Sequence, residues 1–383
     1  MMRLRWILLV PGALFGSTGA AQVDDSFDAG QLNTGYWCAC QLDVTNAPVE
    51  FLEERGTKFA RITVKSSSLG GNKCVFTDDY NECADLAAGA PLSFATAESI
   101  APEAPDLPES LGRSFFAPRV PAELLRALPG MKPAPKYGPA TPYCSNEEHY
   151  CYQRQELRLT GYKPDAETAQ EYSLLFRMPR AAEIMDRENS IRWVIAQWKE
   201  KPLDPDYVKN TDTDPSPFLA LRFDDAVLHL TVQQGDCRCL VASEPHPTKE
   251  IDGWTPDNHG GSVPVWTKNL ACQSTKTGAP PGQSCKADFD VLYGDQPLLS
   301  SPLGTWVDLT LRVKAGPDGY VEVEQDGRFI VKVSGEIGYP HVKSSDPRER
   351  TKVKFKVGHY RDYLPFPAFM DIDRLEVEPL DNP

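Results

Sequence analysis

Along most of the chain, apolar residues alternate with polar ones at every second position, the period of a strand with one buried face. Residues 59–65, 154–159, 173–178, 192–199, 218–223, 227–232, 306–313, 320–325, 329–333, 353–360 and 370–377 predict β-strands on this pattern. Turn signals fall between several of them, at Asp224-Asp225, Pro317-Asp318-Gly319 and Asp326-Gly327. Helical periodicity is scarce and no internal repeat stands out. Many strands joined by short hairpins predict an all-β fold, a jelly-roll β-sandwich of two antiparallel sheets with long loop excursions.

Two stretches break the alternation. Residues 84–142 are rich in Ala, Ser and Pro, including Pro91, Pro102, Pro118, Pro129 and Pro139, with only residues 122–128 suited to a short helix. This predicts an extended excursion from the sandwich rather than a separate domain. Residues 235–301 carry four cysteines among many Gly and Pro and predict a long loop stapled by disulfides. The N-terminus differs again: Arg3 and Arg5 precede an apolar run over 6–15 and small residues over 16–21. That order predicts a signal peptide over 1–21, leaving 22–383 as one domain and placing the protein outside the cell or in the periplasm. The apolar run is shorter than the roughly 20 residues of a bilayer-spanning helix, and no later stretch predicts one.

Composition sharpens the picture in two ways. The formal net charge is −14, which argues against nucleic acid as a partner because phosphate binding relies on basic surface. The ten cysteines behind a leader predict disulfides in an oxidising compartment. Neighbouring cysteines suggest Cys74–Cys83, Cys144–Cys151 and Cys272–Cys285, leaving Cys38, Cys40, Cys237 and Cys239 as two Cys-x-Cys pairs. Cross-links between those two pairs fit a secreted chain better than a four-thiolate zinc site, whose ligands are usually spaced more widely. Connectivity itself is not set by spacing.

Three strands carry chemistry. In Lys352-Val353-Lys354-Phe355-Lys356-Val357-Gly358-His359-Tyr360-Arg361, Val353, Phe355 and Val357 take one face while Lys354, Lys356, Gly358 and Tyr360 take the other. The polar face offers two cations, a phenol, and a glycine beside which a ligand can approach the backbone. His359 falls on the apolar face. In Arg154-Gln155-Glu156-Leu157-Arg158-Leu159, the arginines flank Glu156 on one face, where it can orient one of them. Residues 191–199 put Gln197 and Lys199 on one face together with Trp193. Solvated lysines and an Arg–Glu–Arg ladder that holds strands in register explain the same patterns without function.

Taken in order, Arg154-x-Glu156-Leu157-Arg158, Phe176-Arg177-Met178-Pro179, Val194-Ile195-Ala196-Gln197-Trp198 and Phe355-Lys356-Val357-Gly358-His359-Tyr360-Arg361 resemble the heparin lyase I-like polysaccharide lyases. Those are jelly-roll (concanavalin-like) lyases related to glucuronan and alginate lyases. The resemblance implies an acidic polysaccharide as partner and β-elimination at a uronic acid. That reaction needs a group to neutralise the carboxylate, a base for the adjacent proton and an acid for the leaving oxygen. By position, Tyr360 is implied as the acid, Lys356 as the cation that favours its phenolate and binds the sugar, and Gln197 and Arg154 as carboxylate neutralisers. Lys354, Arg158, Glu156, Lys199, Arg361 and His149 are implied as substrate-binding.

One position departs from the resemblance. Such lyases often read Gln-x-His, but here Lys199 stands where that histidine would be. An unperturbed lysine has a pKa of about 10.4 and is a poor base at neutral pH. His149 and His259 lie in loops, and His229 reads as an ordinary strand histidine. No cofactor is required by this chemistry; Asp25, Asp28, Asp371 and Asp373, on strands near the two ends, would suit calcium if one were bound. The sequence therefore predicts a secreted lyase acting on a uronic-acid glycan, or a non-catalytic carbohydrate-binding protein on the same scaffold. Glycoside hydrolysis is disfavoured, because these strands offer Glu156 alone and that reaction uses two facing carboxylates.

Overall fold

The computed structural model describes residues 23–33, 35–40, 49–64, 132–133, 142–143, 152–178, 193–211, 216–224, 227–245, 270–276, 283–362 and 368–380. The predicted leader, His149, His259, Cys74, Cys83, Cys144, Cys151 and nearly all of the proline-rich excursion lie outside them.

In chain order the strands are β1 (Val23–Asp25), β2 (Trp37–Cys40), β3 (Val49–Glu54), β4 (Thr57–Val64), β5 (Lys132–Pro133), β6 (Pro142–Tyr143), β7 (Tyr152–Leu159), β8 (Gln170–Arg177) and β9 (Trp193–Lys201). After a short helix, α1 (Pro205–Thr211), come β10 (Leu219–Asp224), β11 (Val227–Gln234), β12 (Cys237–Ser243), β13 (Ala271–Ser274) and β14 (Asp290–Tyr293). The chain closes with β15 (Val307–Lys314), β16 (Gly316–Gln325), β17 (Arg328–Ile337), β18 (Lys352–Asp362) and β19 (Ala368–Pro379). They form an all-β jelly-roll sandwich. One sheet runs β14-β17-β16-β15-β8-β19-β4-β3, with β1 also on β19; the other runs β13-β12-β11-β10-β9-β18-β7-β2. The strands β5 and β6 pair only with each other. Among the described residues, no helix is long and apolar enough to cross a membrane.

All eleven predicted strands are present, for the reason their alternation gave. In β8, Tyr172, Leu174 and Phe176 are buried while Glu171, Ser173 and Leu175 are half-exposed. Asp326 and Gly327 take positive φ (53° and 72°) and close the β16–β17 hairpin with two residues, Gln325 facing Arg328. The predicted turn at Pro317-Asp318-Gly319 is also correct, since Lys314 faces Tyr320 across the β15–β16 hairpin.

The second excursion is a correction. Residues 235–301 hold β12 and β13, at the edge of one sheet, and β14, at the edge of the other. The disulfides also differ from the neighbour pairing: Cys237 bonds Cys285 and Cys239 bonds Cys272. Cys239 and Cys272 face each other across β12 and β13, and strand register rather than sequence proximity chose the partners. This excludes the predicted cross-links of Cys237 and Cys239 to the Cys38-x-Cys40 pair, and a zinc site built on them.

Between the sheets lies an aromatic centre. Tyr172 of one sheet packs on Trp198 and Phe355 of the other, with ring centroids 5.4 and 5.2 Å apart, and Trp198 and Phe355 lie 4.8 Å from each other. Burying side chains of this size contributes about 2–3 kcal/mol each. Next to them Trp193 donates its indole N–H to His359 Nδ1 (3.0 Å), and His359 Nε2 reaches the Ile62 carbonyl of the opposite sheet (3.2 Å). Burial, reinforced by the nearby Arg361 charge, pushes the His359 pKa down to about 3. The ring is therefore neutral, with its proton on Nε2.

At the far end of β9 a buried carboxylate fastens a connection. Glu200 accepts from the Tyr339 backbone N–H (2.8 Å) and from His341 Nε2 (3.0 Å), and His341 Nδ1 lies 3.2 Å from Glu167 Oε1. Gly338 (φ 90°) is obligatory there, because a Cβ would stand 2.2 Å from Glu200 Oε1. Burial opposes charge on His341, but Glu200 and then Glu167 outweigh it and hold the pKa above its usual 6.5. A raised histidine pKa gives stability that is complete below the unfolded value and lost as pH rises through the folded one. The melting-temperature gap between wild type and His341→Asn should thus shrink as pH is raised from about 6 to about 9; a constant gap contradicts this clasp.

Candidate functional site

The outer face of β7, β18, β9, β10 and β11 holds the chemistry, and a bulge in β9 decides who joins it. Opposite β10 the register shifts between Leu221 and Arg222, and opposite β18 between Val357 and Tyr360. Ile195 and Ala196 consequently both join the core, as do Trp193 and Trp198, while Val194 and Gln197 turn outward. Trp193 is thus not on the face of Gln197 and Lys199, as strict alternation predicts. A single extra residue reverses the parity of everything before it.

Two transverse rows result. In the first, Arg158 faces Lys356, Lys356 faces Gln197, Gln197 faces Ala220, and Ala220 faces Thr231. In the second, Arg154 faces Tyr360, Tyr360 faces Val194, Val194 faces Arg222, and Arg222 faces His229. Lys354 and Lys199 face each other beyond the first row. Gln197, His229, Glu156 and Arg222 are deeply buried, at 0, 0, 2 and 4% exposure, whereas Tyr360, Lys354 and Lys199 are half-exposed.

In the first row, one of the two cations has a carboxylate beside it. Gln197 donates its side-chain N–H to Glu156 Oε1 in a short hydrogen bond, and Lys356 Nζ lies 3.8 Å from Glu156 Oε2. With Nε2 turned to Glu156, the Gln197 Oε1 has no hydrogen-bond partner. Glu156 thus holds Gln197 and Lys356. In the second row, Arg222 Nε donates to Thr231 Oγ1 (3.1 Å), which draws its side chain along the face towards the first row, over the small Ala220. His229 Nδ1 lies 3.3 Å from its near neighbour, the Val227 carbonyl. That contact favours the tautomer with the proton on Nδ1, leaving Nε2 as the acceptor.

The predicted residues therefore separate. Tyr360, Lys356, Gln197, Glu156, Arg158, Lys354 and Lys199 share the outer face; Arg154 belongs to it by register, although its side chain is outside the described residues. Arg361 does not line that face: it is 1% exposed and points inward, its guanidinium 5.1 Å from the Trp193 ring centre. Gly358 (φ 130°) is required by the fold, since a Cβ would meet the Gln155 carbonyl oxygen of β7 at 2.4 Å. Sequence reasoning passed over Arg222 and read His229 as an ordinary strand histidine. The alternation Leu228, Leu230, Val232 against His229, Thr231, Gln233 was the available signal.

Two of the four acids considered for calcium have other partners. Asp371 accepts from Arg61 (2.6 and 2.9 Å) and Arg177 (2.9 Å), and Asp25 from the Phe27 N–H and the Trp37 indole (both 2.9 Å). Burial and then the neighbouring Asp28 push the Asp373 pKa up. Among the described residues, the grouping of metal-ligating side chains is Cys237, Cys239 and Cys272, whose sulfurs are in disulfides.

One outer face of the jelly roll thus brings together a phenol, an imidazole and several cations. Residues 130–374, more than half of the chain, match the family model described as polysaccharide lyase, and the chain belongs to that family. The search of curated proteins found no match. Similar solved structures include a family 7 alginate lyase in complex with substrate, at 14% identity and TM-score 0.30, covering 63% of this chain and 76% of that one. An endo-β-1,4-glucuronan lyase from the fungus Trichoderma reesei is similar at 13% identity and TM-score 0.33, covering 61% and 77%. An alginate lyase in complex with dimannuronate follows at 14% identity and TM-score 0.31, covering 60% and 72%.

Glu156 provides a test of this arrangement. Glu156→Ala strips a buried carboxylate from Gln197 and Lys356 and should cost about 3 kcal/mol in denaturant unfolding. Lys199→Ala, at a half-exposed position, should cost under about 0.5 kcal/mol. Equal costs would contradict the pairing.

Proposed function

We propose that the protein is a secreted lyase that cuts a uronic-acid polysaccharide by β-elimination on the outer face of β7, β18, β9, β10 and β11. The observation that carries this reading is the second row, where Tyr360 and His229 stand on either side of Val194 and Arg222. Their Cα positions are three strand spacings apart, about 14 Å, and both side chains project from the same face. His229 Nε2 takes the proton from the carbon bearing the carboxylate. The electron pair left behind forms the new carbon–carbon double bond as the glycosidic C–O bond breaks. Tyr360 gives its phenolic proton to the departing oxygen. In this reading His229, on another strand, takes the place that Lys199 leaves without a base. No step uses a metal, so rates in calcium and in chelator should be equal.

The resemblance to heparin lyase I-like enzymes makes heparin and heparan sulfate the first substrates to try, beside glucuronan and alginate. The predicted leader at 1–21 supports export. In a panel of these four glycans, at least one should give rising ultraviolet absorbance from the new double bond. Tyr360→Phe and His229→Ala should each lower that rate by about 10²- to 10⁴-fold, and Lys199→Ala by only a few-fold. Binding without any absorbance change across the panel would favour the non-catalytic carbohydrate-binding reading; full activity in His229→Ala would remove it as the base.

A further inference from the structure

We infer that the Glu156–Gln197 pair makes the floor of the first row a hydroxyl-accepting subsite, which selects a uronan with free ring hydroxyls against a sulfated one; this rests on the lyase reading above. The pair is built across three neighbouring strands, β7, β18 and β9. Glu156 on β7 faces Gly358 on β18, and Gln197 on β9 faces Lys356 of the same strand. With no side chain on Gly358 in its way, the Glu156 carboxylate reaches across β18 and takes the Gln197 amide in a short hydrogen bond. A carboxylate only accepts, so the amide must turn its NH2 towards Glu156. Its carbonyl oxygen is the end left over, and among the described residues it has no hydrogen-bond partner. Ala220, next in the row, offers only a methyl group.

Gln197 is fully buried, so bulk water does not make good the missing bond. A buried acceptor left without a donor is costly, and a ligand that brings the donor recovers that cost. A sugar hydroxyl can donate. A carboxylate or a sulfate ester cannot, since each presents only acceptor oxygens. Either would set an oxygen against the Gln197 oxygen, and the bond would stay unmade. The resemblance implies Gln197 as a carboxylate neutraliser, which would use its NH2; the hydrogen bond to Glu156 commits that end and leaves the acceptor. Glu156 is therefore the positioning residue that sets the polarity of the subsite. Of the four glycans above, glucuronan and alginate, which carry no sulfate, are the better matches.

The test uses a glucuronan tetrasaccharide and the same tetrasaccharide sulfated on its ring hydroxyls, with cleavage followed by ultraviolet absorbance and binding by calorimetry. Wild type should favour the unsulfated compound by about 10- to 100-fold in kcat/KM and in Kd. In Glu156→Gln the two amides can exchange roles and Gln197 can turn its NH2 outward, so the preference should fall below about 3-fold. Gln197→Met keeps the side chain's length and removes the acceptor. It should lose about 10-fold on the unsulfated compound and less than about 3-fold on the sulfated one, whereas a carboxylate contact would lose equally on both. Melting checks the fold of each variant, and Gln197→Met decides if Glu156→Gln does not fold. A wild type without the preference, an unchanged preference in folded Glu156→Gln, or equal losses in Gln197→Met overturn the proposal. If wild type binds without cleaving, the lyase reading falls, and the same ratios measured in Kd decide the subsite on their own. If it neither binds nor cleaves either compound, both fall.

Discussion

The hydrogen-bonded bridge Trp193–His359–Ile62 is the contact on which the placement of the site depends. Its imidazole is buried, neutral and bonded at both nitrogens, one to a strand of its own sheet and the other to the opposite sheet. Turning β18 over would leave a buried indole N–H and a buried carbonyl unsatisfied, at about 1–3 kcal/mol each. Because His359 faces inward, its neighbour Tyr360 faces outward. The same parity takes Phe355 into the aromatic centre and puts Lys356 and Lys354 on the outer face. The phenol is thus positioned by the core, not by the site around it.

Charge on the face is handled locally. A chain of net charge −14 repels a polyanion at long range, so attraction must come from the few strands that meet it. Lys354 and Lys199, half-exposed, and Arg158 and Lys356, more deeply set, supply that charge, with Glu156 as an internal counter-ion. Of the two cations in the first row, Lys356 lies beside the Glu156 carboxylate, and the second row sets Arg222 between Val194 and His229.

Much of this is legible in the sequence, where each side chain follows its own strand's alternation. Lys354, Lys356 and Tyr360 on one face and His359 on the other follow from period two, and Asp326-Gly327 announces its hairpin. Three features are not legible because they depend on partners. The extra residue that β9 carries against β10, and the one that β18 carries against β9, reveal themselves only in pairing, and the first moves Trp193 into the core and Val194 outward. His229 and Arg222 look like ordinary strand residues until register sets them opposite one another. Cys239 bonds Cys272 because register sets them opposite each other on β12 and β13, whereas Cys237 bonds Cys285, beyond β13, and the four-residue β13 and β14 are too short for their alternation to announce them.

The most direct test is a crystal structure of the Tyr360→Phe protein bound to a uronate tetrasaccharide. A uronate ring bound on the outer face of β7, β18, β9, β10 and β11, with its glycosidic oxygen beside residue 360, is the predicted result. An oligosaccharide bound on the outer face of the other sheet, or one remote from residue 360, would contradict the account.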